Sequence, residues 1–63
     1  MSHCFINCKL GFVRDAYVEE PVIKARFTSD VREAKPFGNL GEAHKFWSKT
    51  VYADWYYCVL WPD

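Results

Sequence analysis

The side chains with the most obvious chemistry in this chain are three thiols and a neighbouring imidazole: Cys4, Cys8 and Cys58, with His3 beside the first. Three thiolates and one imidazole form a tetrahedral zinc donor set. Their spacing speaks against that use. Structural zinc sites bring ligands in pairs from a tight turn, whereas Cys4 and Cys8 fall on one extended run, about 13 Å apart at ~3.3 Å per residue. They read instead as small buried apolar side chains, with Cys8 expected beside Cys58 on an adjacent strand. A cysteine nucleophile would need a base and a third group to orient it. His44 has no spacing that ties it to a cysteine and reads as a solvent-exposed helix residue. Asp15, Glu19, Glu20, Asp30, Glu33 and Glu42 are scattered over loops and a helix end, and the three glycines stand apart, with no phosphate loop among them. The expectation is no catalysis, no metal and no cofactor.

Length and composition narrow the remaining classes. A chain of 63 residues is one domain, 1–63, and at this size folding hides only about 60% of the surface of the unfolded chain. Hydrophobic residues make up 51% and aromatic residues 19%, a generous supply for so small a core. Eight basic residues balance eight acidic ones. A neutral chain lacks the field that gathers nucleic acid, and near-zero net charge eases association with other proteins. No run is long enough for a membrane-spanning helix, and the first residues lack a signal-peptide layout. An odd number of cysteines fits a reducing compartment. The cytoplasm is therefore the expected location.

The elements follow from periodicity. His3 to Val13 alternates, with Cys4, Ile6, Cys8, Leu10 and Phe12 on one face and Phe5 and Val13 as apolar exceptions on the other. Arg14 to Pro21 is charged and ends in proline, which predicts a turn or irregular link that Tyr17 and Val18 extend into strand on one side or the other. Val22 to Thr28 alternates again, Ile23, Ala25 and Phe27 inward and Lys24 and Arg26 outward, giving an antiparallel hairpin with the first run. Ser29 or Asp30 caps a short helical turn over 31–34 that Pro36 limits, and Phe37 drops into the core. Asn39 with Glu42 three residues on predicts a capped helix from Leu40 to about Thr50, with Leu40, Ala43, Phe46 or Trp47, and Thr50 or Val51 along its inner stripe. Asp54 to Trp61, closed by Pro62, is the last strand. The predicted fold is α+β: a three-stranded, mainly antiparallel sheet with one helix packed on one face, in the order β-β-α-β.

The segment Thr28-Ser29-Asp30-Val31-Arg32-Glu33-Ala34-Lys35-Pro36-Phe37, followed by Glu42-Ala43-His44-Lys45-Phe46, resembles an arrangement in small phage and prophage accessory proteins. In these a strand leads to an S/T-D-x-x-x-A-K-x-F turn, then a helix beginning near an E-A pair, then a final strand. The resemblance spans roughly the second half of the chain. Its residues are mostly structural: a cap, two small packing alanines and aromatic plugs. Those relatives with a known role often bind and disable a host enzyme, including defence nucleases and RNA-guided complexes. The resemblance thus implies a non-enzymatic inhibitor or modulator of a host protein, of the anti-defence or anti-CRISPR type.

The last strand supplies the surface for such a role. Both of its faces are apolar, so it wants cover on two sides, and one helix provides only one. With Tyr56, Cys58 and Leu60 placed towards the helix, the other sheet face would show Trp55, Tyr57 and Trp61, framed by Phe5, Lys24 and Arg26. Trp, Tyr and Arg dominate interface energetics, at ~2 kcal/mol or more for a hot-spot residue. Binding of a heterologous protein by steric blocking is the first reading, a homodimer the second, and a misassigned core the third. From another class, bases stacking on these rings between Lys9, Lys24 and Arg26 would make a single-stranded nucleic-acid module, against which the zero net charge stands.

Overall fold

The computed structural model describes residues 3–61; Pro62, expected to close the last strand, lies outside the described residues. The elements are β1 (Phe5–Cys8), β2 (Gly11–Glu19), β3 (Val22–Thr28), a 3-10 turn (Val31–Glu33), α1 (Leu40–Ser48) and β4 (Tyr57–Leu60). The α+β class is as expected, but the sheet has four strands, not three, in the antiparallel order β3-β2-β1-β4.

The extra strand comes from the run 3–13, which is two strands joined by Lys9 and Leu10. Cys8 pairs with Gly11 across this turn. Gly11 has φ 109°, a left-handed conformation, and a Cβ there would lie 2.7 Å from the Thr28 carbonyl oxygen. No other residue type fits both constraints. Leu10, expected in the core, sits in the turn and is exposed. The turn also shifts parity. Even-numbered residues of β1 face the helix, whereas Val13, opposite Phe27, is the buried residue at the start of β2, and Phe12 turns outward opposite Asn7. A bulge between Val13 and Asp15 then restores even residues to the inner face, so that Ala16 meets Ala25 and Val18 meets Ile23. The stretch 14–19, expected as a link, is strand, and the connection to β3 is Glu20-Pro21, joined by a cis peptide bond.

The second half of the chain fills the inner face. Asp30 caps the 3-10 turn by accepting the Arg32 N–H at 2.9 Å. The segment after it is stitched into the sheet: Lys35 N–H donates to the Val13 oxygen, and Cys4 and Phe37 exchange both backbone bonds, at 2.9 and 2.8 Å. Asn39 caps α1 by accepting the Glu42 N–H at 2.8 Å, as the spacing predicts, an interaction worth about 1 kcal/mol. Ala43 and Trp47 carry the helix into a core with Cys4, Ile6, Val13, Ala25 and Phe37. Thr50, also buried, donates its hydroxyl to the Trp47 oxygen at 2.7 Å. Leu40, assigned to the inner stripe, is exposed.

Strand β4 is shorter than the predicted run and has its faces reversed. Val59 pairs with Ile6 and Tyr57 with Cys8, and because Ile6 and Cys8 look towards α1, so do Tyr57 and Val59. Tyr56, Cys58 and Leu60 look outward. Residues 51–55 form turns, so Asp54 and Trp55 are lost from the predicted strand, and these turns bring Tyr52 against Phe27, Trp47 and Trp55, with ring centroids 5.3, 5.8 and 4.8 Å apart. A nine-residue helix is too small to shelter the inner face alone, and these rings extend its cover, while Ala16 and Val18 towards the far end of β2 stay exposed.

Candidate functional site

The six residues singled out from sequence do not form one surface. Tyr57 lies under the helix, its ring 4.9 Å from Trp47 and its hydroxyl hydrogen-bonded to His44 Nδ1. Trp55 is half-buried against Tyr52, and the Lys9 ammonium sits 4.3 Å from its ring centroid. Lys24 and Arg26 are on the open face as expected, but at its β2–β3 end. There they pair with Glu19 at 2.8 Å and Asp15 at 3.2 Å, and Arg26 also covers the Tyr17 ring. Phe5 is on the open face at the other end, opposite Leu60. Trp61 follows β4 and is 44% exposed.

The open face nevertheless has an apolar half. Phe12, Asn7 and Cys58 lie in one row across β2, β1 and β4, with Phe5 and Leu60 in the next. Phe5, Asn7, Phe12 and Cys58 are half-buried there. Tyr56, at the start of β4, is 85% exposed, and Leu60 at its end is 41% exposed. Between Tyr56 and the turn after β1 is a groove of about 470 Å³, walled by Asn7, Cys8, Lys9, Trp55, Tyr56 and Cys58. Its lining is mainly apolar, with one ammonium held over the indole at its rim.

Cys58 Sγ and the Tyr56 hydroxyl are hydrogen-bonded at 3.6 Å, and this bond, with charge repulsion between the two acidic groups, holds the phenol above its usual pKa. Among the described residues no histidine is hydrogen-bonded to Cys58. Cys4 is fully enclosed, and burial pushes its thiol above the ordinary range. Cys8 and Cys58, expected side by side on one face, are on opposite faces: Cys58 pairs with Asn7. Among the described residues no three of His, Cys, Asp or Glu are grouped to hold a metal ion.

No protein-family model, curated protein or solved structure matches the chain.

Sequence reasoning missed Tyr56, Cys58, Leu60 and Phe12 as surface residues because their strands are apolar on both faces. For Phe12 the signal is Gly11, whose positive φ directly after the Lys9-Leu10 turn changes the parity of β2 against β1; for the β4 residues only the pairing with β1 decides. No helix among the described residues is long and apolar enough to cross a membrane.

Proposed function

We propose that this protein is a non-enzymatic protein-binding module that docks through the uncovered β1–β4 half of its sheet and blocks a working surface of its partner. The supporting observation is the second sheet face, where Tyr56 and Leu60 are exposed and Phe5 and Phe12 are half-buried, beside a groove of about 470 Å³. Fully burying one such apolar side chain contributes about 1.5–3 kcal/mol, so two or three would sustain a specific complex. The charged pairs Arg26–Asp15 and Lys24–Glu19 bound this surface on one side and are already satisfied within the chain. The partner is a folded protein presenting a convex apolar side chain to a concave groove. Inhibition of a host protein, the role implied by the resemblance to phage accessory proteins, is the form of this activity we propose.

The test is capture from a host extract by the wild-type chain and by a Tyr56→Ala/Leu60→Asp variant, with circular dichroism and light scattering on both. Both positions are exposed, so the variant should fold. The expected outcome is one partner captured by the wild type and lost by the variant, with the wild type monomeric when alone. Equal capture by the two chains would sink the reading. A stable wild-type dimer dissociated by the variant would assign the face to a second copy.

A further inference from the structure

The charges of this neutral chain are unevenly placed. Of its eight basic residues, Lys24, Arg26 and Arg32 form ion pairs among the described residues. Three of the others, Lys35, Lys45 and Lys49, ring a second groove of about 390 Å³. This groove is on the helix layer, away from the uncovered sheet face. Its floor is Pro36 with Phe37 and Phe46, whose rings are 5.3 Å apart and tilted by 48°. The Lys35 ammonium is 5.7 Å from the Phe37 ring. Lys45, in the last turn of α1, and Lys49, its C-cap, are four residues apart, a spacing that puts both ammoniums on one side of the helix. The one carboxylate in the lining, Glu42, is drawn towards the Asn39 cap and takes no lysine as partner.

We infer that this groove is a second binding site, for an acidic polypeptide segment that inserts one apolar side chain. Two features choose that occupant. Three ammoniums that take no carboxylate partner among the described residues complement carboxylates, and a lining of proline and two phenyl rings complements a hydrocarbon side chain between them. A continuous polyanion such as single-stranded nucleic acid calls for a basic stripe along its backbone, and three lysines around one groove of a neutral chain do not make one. An acidic peptide satisfies both.

The experiment is an NMR titration of the isotopically labelled full chain with the blocked peptide Asp-Glu-Leu-Glu-Asp. Parallel arms use the same peptide with lysine in place of every acidic residue, and a thymidine oligonucleotide. Shifts should be centred on Phe37, Lys45, Phe46 and Lys49 and should weaken as salt is raised. Affinity should fall about tenfold or more in Lys45→Glu/Lys49→Glu and by less in Lys45→Gln/Lys49→Gln, both of which change exposed side chains only. Absence of shifts at millimolar peptide, or equal binding of the lysine peptide, would overturn the inference. So would tighter binding of the oligonucleotide at these residues, or concentration-dependent shifts there without ligand, which would give the groove to nucleic acid or to a second copy.

Discussion

The Tyr52 hydroxyl accepts the Ala25 N–H at 3.2 Å and donates to the Ala25 carbonyl at 3.3 Å, so one phenol replaces a missing neighbour strand at the outer edge of β3. The Val51 N–H adds a third contact, to the Ile23 oxygen at 3.0 Å. Exposed strand edges are templates for pairing with other chains, and this one is closed from within. Strand β4, the opposite edge, has no such cap among the described residues.

Removing the hydroxyl should therefore have two effects. Tyr52→Phe keeps the ring packing but leaves both polar groups of nearly buried Ala25 unpaired, at an expected cost of about 1–3 kcal/mol. In a domain of this size that lowers the melting temperature by roughly 4–8 °C per kcal/mol. Urea denaturation reads the first effect and light scattering of the folded variant reads the second, an increase in self-association. A variant as stable and as monomeric as the wild type would show that the cap is incidental.

Gly11 is the hinge of the β1–β2 turn, and Gly11→Ala should destabilise the fold by about 1–3 kcal/mol through its positive φ. The added methyl also presses on the Thr28 carbonyl, so β2 and β3 must part locally. Loss of amide protection at Thr28 and Ser29, measured by hydrogen exchange, is the expected signature. Unchanged stability would mean that the chain can adopt another turn at Lys9-Leu10.

Asp30 gives the chain an acid-sensitive point. Hydrogen bonds from the Arg32 guanidinium, and then from the Arg32 N–H, hold its carboxyl below the usual value of 3.8. A depressed folded-state pKa contributes stability that is present above the unfolded value and is lost as pH falls through the folded one. Wild type should thus lose stability relative to Asp30→Asn below about pH 4, while the two curves run parallel near neutrality. Parallel curves throughout would mean that Asp30 does not cap the turn in solution.

The three thiols should react unequally. Cys4 is fully enclosed and its thiol is pushed up by burial, whereas Cys8 and Cys58 are partly exposed at the groove. Alkylation at mildly basic pH, followed by mass spectrometry, should mark Cys8 and Cys58 and spare Cys4 until the protein is unfolded. Labelling of Cys4 at the rate of the others would place it outside the core.

The parts of this fold that were legible in the sequence are those fixed by local chemistry. Asn39 with Glu42, Asp30 before a short turn, and Phe37 after Pro36 each act within a few residues, and each has the role its spacing predicts. The alternation of β3 was readable because Lys24 and Arg26 mark its outer side. What could not be read depends on pairing. Phe5 to Val13 alternates through a turn that only Gly11 betrays, and Tyr56 to Trp61 offers two apolar faces of similar character. Register against β1 alone decides which of Tyr57 and Tyr56 goes under the helix. The open sheet face therefore carries other residues than expected: Phe5 is on it as the alternation predicts, while Tyr56 and Leu60 stand where Tyr57 was placed.

The most direct measurement is hydrogen exchange on the chain alone and in complex with its captured partner. Docking through the open sheet face should protect amides of residues 5–7 and 56–60 in the complex and leave α1 unchanged. Protection confined to Leu40–Ser48, or none in β1 and β4, would contradict the assignment of that face as the binding surface.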